Sequence, residues 1–270
     1  MKPISMSEKM LYSTVRIVSS NGGAGTGFFF NFKIDDKVIP TIITNKHVVN
    51  YNCNEKVSFY LHIATDKYDN ANIRIDYDTH WYFHPDHDLC FCFIVPLKEY
   101  VKSVLNENVF YVAIDEKIML PEDKLKDLSA IEEVTMVGYP IGLWDEINNF
   151  PIFRKGITAS HPALDFNRPQ IGLLDMACFP GSSGSPIFIL NENIYSDKQG
   201  NSYVGSRIIF LGILFQGPLY NAEGSLVVTN IPTKQEITAE TPIMTNLGYY
   251  VKSSELLKFK EIIREIINES

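Results

Sequence analysis

Three short segments carry side chains that could do chemistry together. Gly181-Ser182-Ser183-Gly184-Ser185-Pro186 lies between an apolar segment and a new strand pattern. A Gly-x-Ser-Gly turn aims a serine hydroxyl outward on a tight bend and frees the N–H groups of Gly181 and Ser183 to converge on one point. Such donors stabilise an oxyanion in acyl transfer, typically for about 10²–10³ in rate each. Flexible Gly/Ser turns are also common, so this segment alone decides nothing. Thr44-Asn45-Lys46-His47-Val48-Val49 follows the apolar run Val38–Ile43 and offers a histidine at a strand end. His87-Asp88-Leu89-Cys90-Phe91-Cys92-Phe93 sets an aspartate directly before a strand that reads as buried. Asp88 could equally be a turn residue capping backbone N–H groups. A hydroxyl, an imidazole and a carboxylate are the parts of a nucleophile, its base and the group that orients the base.

The elements that must position these groups read as strands. Leu11–Val18, Gly27–Phe32, Val38–Thr44, Val57–Ile63, Ala71–Tyr77 and Leu89–Val95 are rich in β-branched and aromatic residues and bounded by Asn, Asp and Gly. The second half repeats the style in Glu133–Gly138, Phe153–Ser160, Ile171–Met176, Ser185–Leu190, Ile208–Phe215 and Gly248–Val251. Two clusters of this kind point to two β-barrels or sandwiches packed together. Leu97–Glu107 reads as a short helix and Leu120–Ile131 as charged connecting chain. Asn191–Ser206 reads as an exposed hairpin tip, and Pro218–Thr245, with Val227, Val228 and Ile231, holds room for an extra hairpin. After a capping Ser253, the spacing of Leu256, Phe259, Ile263, Ile266 and Ile267 predicts an amphipathic helix. Its charges are mixed rather than basic, so packing on the barrel is expected over a partner or membrane surface.

Composition narrows the classes. A 270-residue chain with 45% hydrophobic and 21% charged residues is long and apolar enough for a sizeable core without staples. Its net charge of −8 and pI near 5.3 argue against a general nucleic-acid binder. The longest apolar runs, such as Ile208–Phe215, are too short to cross a bilayer. The start of the chain lacks an apolar signal-peptide core. Cys90 and Cys92 fall on one face of a strand, poor geometry for a mutual disulfide, and no cysteine shows paired zinc-site spacing. Free thiols in a reducing compartment, hence a cytoplasmic location, are expected. His80, His84 and His87 with Asp86 and Asp88 show no regular zinc spacing, so no metal and no cofactor are expected.

The order His47, Asp88, Ser183 resembles that of the trypsin-like (chymotrypsin-fold) serine proteases, above all the bacterial HtrA/Deg-type protease domain. Further pieces match in order: Gly25-Thr26-Gly27-Phe28, Gly138-Tyr139-Pro140-Ile141-Gly142-Leu143, Lys155-Gly156-Ile157-Thr158-Ala159, Leu211-Gly212-Ile213 and Asn246-Leu247-Gly248-Tyr249-Tyr250-Val251. Other triad folds use a different chain order. The resemblance implies an all-β fold of two packed six-stranded antiparallel β-barrels with a C-terminal α-helix. Residues 1–120 would carry His47 and Asp88, residues 121–252 would carry Ser183, and 253–270 would form the docked helix. It implies a serine endopeptidase in which Ser183 attacks, His47 relays the proton and Asp88 orients His47. Gly181 and Ser183 would supply the oxyanion hole. Asp86 is a rival to Asp88, but no apolar strand follows it directly.

The chain departs from the digestive branch of that family. Ser182 stands where that branch has the aspartate that pairs with a newly cut N-terminus, so activation by that ion pair is not expected. Ala177 would lie at the base of the specificity pocket, with Gly212, Leu214, Phe215 and Gln216 as its wall. That implies cleavage of a protein or peptide substrate after small or aliphatic residues, although Asp175 lies two residues back on the same side. No PDZ module, nucleic-acid partner or membrane partner is expected. A regulatory protein partner stays open, as does a protease-fold scaffold or partner-activated effector whose triad is not assembled in the free chain.

Overall fold

Alternation along Phe28-Phe29-Phe30-Asn31-Phe32 decides where the cores lie, because successive strand side chains leave on opposite faces. Phe28, Phe30 and Phe32 join Phe91, Phe188, Phe210, Val251 and Phe259 in a cluster that spans both halves of the chain. Phe29 faces the other way, among Val15, Ile17, Ile42, Phe59 and Cys92. Each fully buried phenylalanine contributes about 1.5–3 kcal/mol. The computed structural model describes residues 2–64, 71–225 and 238–269.

After a short helix α1 (Met6–Met10), the N-terminal half is a nine-stranded sheet. Its strands are β1 (Thr14–Ser19), β2 (Ala24–Ile34), β3 (Lys37–Thr44), β4 (Lys56–Ile63), β5 (Asn72–Asp78), β6 (Tyr82–Phe83), β7 (Cys90–Phe93), β8 (Val109–Phe110) and β9 (Ile114–Asp115). The ladder runs β5-β4-β1-β2-β3-β7-β6, with β8 on β4 and β9 parallel to β2. It runs open among the described residues rather than closing into a six-stranded barrel, and β6, two residues long, pairs β7 alone. The expected strand Leu89–Val95 stops at Phe93, and helix α2 (Ile94–Leu105) begins at once. Pro96 is tolerated there because a first-turn N–H has no intrahelical partner anyway.

A short helix α3 (Glu122–Leu125) interrupts the expected connecting chain. The C-terminal half is a closed barrel of β10 (Glu133–Gly138), β11 (Ile152–Thr158), β12 (Ile171–Asp175), β13 (Pro186–Asn191), β16 (Arg207–Gln216) and β19 (Leu247–Lys252). Its order is β10-β11-β12-β19-β16-β13. Two hairpins stand off it, β14 (Ile194–Ser196) with β15 (Ser202–Val204) and β17 (Leu219–Ser225) with β18 (Thr238–Met244). Val227, Val228 and Ile231 lie outside the described residues. Ser253 does not cap a helix: it is buried as the first residue of a 3-10 turn, Ser253–Lys258, and helix α4 (Phe259–Glu269) follows. Leu256, Phe259 and Ile263 are fully buried in the shared core.

Candidate active site

β3 ends at Thr44, and the chain turns through a 3-10 turn, Lys46–Val49, whose Val48 and Val49 are buried. Asn50, in the left-handed region at φ 53°, ends that turn. His47 is thereby left about one-third exposed beside β7. Its Nδ1 lies 2.5 Å from Asp88 Oδ2, and its backbone N–H donates to Asp88 Oδ1 at 3.2 Å. Asn45 Nδ2 donates to the Asp88 carbonyl at 2.6 Å, and the β3–β7 ladder pairs Thr44 with Cys90. Because a carboxylate only accepts, Nδ1 is the donor in this pair, and Nε2 is the ring nitrogen left for chemistry on Ser183's side of the cleft. Asp86 turns outward to Lys258 at 2.9 Å.

The Gly181–Ser185 turn joins the chain after β12 to β13. Gly181 at φ 89° and Gly184 at φ 84° occupy the region that favours glycine. A Cβ on Gly184 would stand 1.9 Å from the Thr26 carbonyl. Thr26 N–H donates to the Ser183 carbonyl at 2.9 Å, and Thr44 Oγ1 donates to the Thr26 carbonyl at 2.7 Å. These bonds bring the serine turn against the end of the strand that carries His47. Ser183 is partly exposed. Among the described residues its hydroxyl makes no hydrogen bond to His47. Such bonds are often loose without substrate and tighten in the reacting complex. The N–H groups of Gly181 and Ser183 have no hydrogen-bond partner among the described residues. Ile141 N–H donates to the Pro180 carbonyl at 2.5 Å. Since N–H and C=O of one trans peptide point opposite ways, that bond turns the Gly181 N–H away from Ile141.

A cavity of about 250 Å³ opens beside Ser183, lined by Cys178, Phe179, Leu214, Phe215, Gln216 and Leu247 among others. Burial pushes the Cys178 thiol up to about 11, so it stays neutral near pH 7. Leu214, Phe215 and Gln216 line this cavity, but Ala177 and Gly212 do not. Gly212 is buried in the barrel wall, where a Cβ would stand 2.2 Å from the Val251 carbonyl. Ala177 is half-buried, and Cys178, one residue on, takes the lining position expected of it. Asp175 is exposed at the end of β12 and does not line the cavity.

One group of side chains near the site has metal-ligand types. His84, Asp86 and Glu255 bring ligand atoms within 4.8 Å of one another. The N–H groups of Asp86 and His87 donate to His84 Nδ1 at 3.1 and 3.0 Å. The His84 proton is therefore on Nε2, which faces the Glu255 carbonyl at 3.2 Å and is not free to ligate. Lys258 Nζ lies 2.9 Å from both Asp86 Oδ2 and Glu255 Oε2 and supplies the countercharge. The group is an ion-pair hub, not a metal cage.

The chain belongs to the trypsin-like peptidase domain family, whose model matches residues 25–193, and is a trypsin-like serine protease. No curated protein matches it by sequence. Solved structures give distant matches. A human pathogenic astrovirus serine protease is 14% identical with a TM-score of 0.41, each chain 89% covered. An inactivated protease paralogue of the scabies mite is 12% identical with a TM-score of 0.47, each chain 97% covered. AlgW, an HtrA-type protease with a bound decapeptide, is 12% identical with a TM-score of 0.46, covering 95% of this chain and 64% of its own.

Sequence reasoning passed over Cys178, Ile141 and the role of Thr26. Thr26 stood in view within Gly25-Thr26-Gly27, but a strand residue gives no sign of which carbonyl it will meet 155 positions later.

Proposed function

We propose that this chain is a serine endopeptidase that works through an acyl-enzyme. Ser183 Oγ attacks the scissile carbonyl while His47 Nε2 takes its proton. Asp88 holds His47 in that tautomer and stabilises the imidazolium. The tetrahedral oxyanion is received by the N–H groups of Gly181 and Ser183. Collapse passes the proton from His47 to the leaving amine, and water then repeats the steps to release the acid. The observation that carries this reading is the His47–Asp88 contact of 2.5 Å, which commits Nδ1 to the carboxylate and leaves Nε2 as the ring nitrogen that can take a proton. The neutral cavity beside Ser183 supports cleavage after small or medium aliphatic residues. Burying Lys or Arg there without a counter-charge would cost several kcal/mol. The protease unit would comprise the His47/Asp88 half, the Ser183 half and the terminal helix. Its four free thiols suit the cytoplasm.

Labelling by a fluorophosphonate probe tests the mechanism. Wild type should label, Ser183→Ala should not, and His47→Ala should label far more slowly. One observation favours a second reading, a regulated effector awaiting a protein partner: no hydrogen bond joins Ser183 Oγ to His47 among the described residues. Labelling only in the presence of a partner would select it.

A further inference from the structure

All five carbonyls from Phe179 to Ser183 accept a hydrogen bond. Phe179 accepts from Ser182 N–H at 3.0 Å, Pro180 from Ile141 N–H at 2.5 Å and Ser182 from Ser185 N–H at 3.0 Å. The other two are held by one residue. Thr26 Oγ1 donates to the Gly181 carbonyl at 3.0 Å, and Thr26 N–H donates to the Ser183 carbonyl at 2.9 Å. Thr26 is fully buried, and its hydroxyl also accepts the Tyr139 N–H at 3.1 Å. A hydroxyl has one proton, so accepting from Tyr139 leaves that proton for Gly181 and fixes the direction of both bonds. Tyr139 begins the short turn whose Ile141 N–H holds Pro180, and a Cβ on Gly181 would stand 2.5 Å from the Tyr139 carbonyl. Turn and prop are thus in contact, and the Thr26 hydroxyl bonds to both. The side chain before Ser183 contributes nothing comparable: Ser182 is fully buried and its hydroxyl has no hydrogen-bond partner among the described residues.

We propose that Thr26 is a positioning residue: its hydroxyl, shared between Tyr139 N–H and the Gly181 carbonyl, holds the oxyanion turn with both donors outward in the uncut chain. The proposal rests on the serine-endopeptidase reading above. Without the hydroxyl, a buried N–H and a buried carbonyl both lose their partner, and a shift of the Gly181–Ser183 turn away from Tyr139 is the relief open to them. That shift moves the Gly181 and Ser183 N–H groups, which lie on the peptides flanking the Gly181 carbonyl's own, while leaving the substrate cavity intact.

The test compares Thr26→Val, which keeps the shape and the backbone N–H but lacks the hydroxyl, with Thr26→Ser, which restores the hydroxyl. The readouts are fluorophosphonate labelling rate, and kcat and KM on a fluorogenic peptide with alanine before the cut. Thr26→Val should lose about 10²-fold in kcat and labelling rate with KM within about two-fold, the scale of one lost oxyanion donor. Thr26→Ser should stay within about three-fold of wild type. The labelled wild type should have the intact mass of the uncut chain plus one adduct. If Thr26→Val does not fold by circular dichroism, Thr26→Ala is read the same way. Equal labelling of wild type and the hydroxyl-less variant overturns the role of Thr26 alone, as does labelling only after an N-terminal cut. No labelling of wild type overturns the endopeptidase reading and this proposal with it.

Discussion

At the scale of single residues, the informative contrast is between two aspartates two positions apart. Asp88 is followed at once by the buried Leu89, Cys90, Phe91 and Cys92, which tie it to a strand in the core. That apolar run was visible in the sequence and separated Asp88 from Asp86, which lies further out in the loop. Asp88→Asn should fold with an unchanged melting temperature yet lose roughly 10⁴-fold in kcat, because an amide can hold the imidazole in the wrong tautomer. Asp86→Asn should stay near wild type, since it loses only an exposed pair with Lys258. Steady-state kinetics on both variants checks this, and the reverse pattern would reassign the orienting group. Ile141 makes a second residue-scale case that spacing could not reveal. It is β-branched at φ 54° and 67% exposed, so it carries backbone strain with little packing in return. Ile141→Gly keeps the N–H to Pro180 and should stabilise the fold by up to about 1 kcal/mol in thermal unfolding. A lower melting temperature would mean that the side chain has a packing role.

At the scale of elements, the long strands were legible because their alternation is imposed by a two-sided environment. β2 is the strongest example, with Phe28, Phe30 and Phe32 on the shared core and Phe29 on the other. Phe32 meets Phe30, Phe91 and Phe259 at ring separations of 4.8 to 6.3 Å. Phe32→Ala should therefore cost about 3–5 kcal/mol in urea unfolding. A loss below about 1 kcal/mol would contradict the idea that this stripe joins sheet, barrel and helix. β6, β8 and β9 were not legible, because two residues have no period and such strands exist only by virtue of their partners. The start of α2 was hidden for a different reason: Ile94 and Val95 read as strand, and the helix is set by burial of Ile94, Leu97 and Val101. The pairing order of the N-terminal half depends on long-range contacts, which strand counting does not weigh.

At the scale of the whole molecule, the C-terminal segment is fastened to the active-site loop by polar groups that titrate. His84 Nε2 and His87 Nε2 lie 3.4 and 3.0 Å from Glu255 Oε2, in the 3-10 turn before α4. The amphipathic spacing after Ser253 announced a docked helix, but nothing in it announced that Glu255 would meet the loop carrying Asp88, which is a consequence of tertiary closure. Burial pushes His84 down to about 4. His62, packed against Tyr12 and Phe150, is likewise pushed down to about 4 by burial. Both side chains are neutral in the fold, and in the unfolded chain they protonate near pH 6.5. Below that pH the unfolded state binds more protons, so stability is full above about 6.5 and falls as the pH drops toward 4. Each histidine should account for about 3 kcal/mol across that window, at 1.36 kcal/mol per unit. Urea unfolding at pH 7.5, 6 and 5 should show the midpoint falling steadily, and His62→Phe should lessen the fall while keeping the aromatic contacts. A midpoint that does not move between pH 7.5 and 5 would mean that neither histidine is held neutral by the fold.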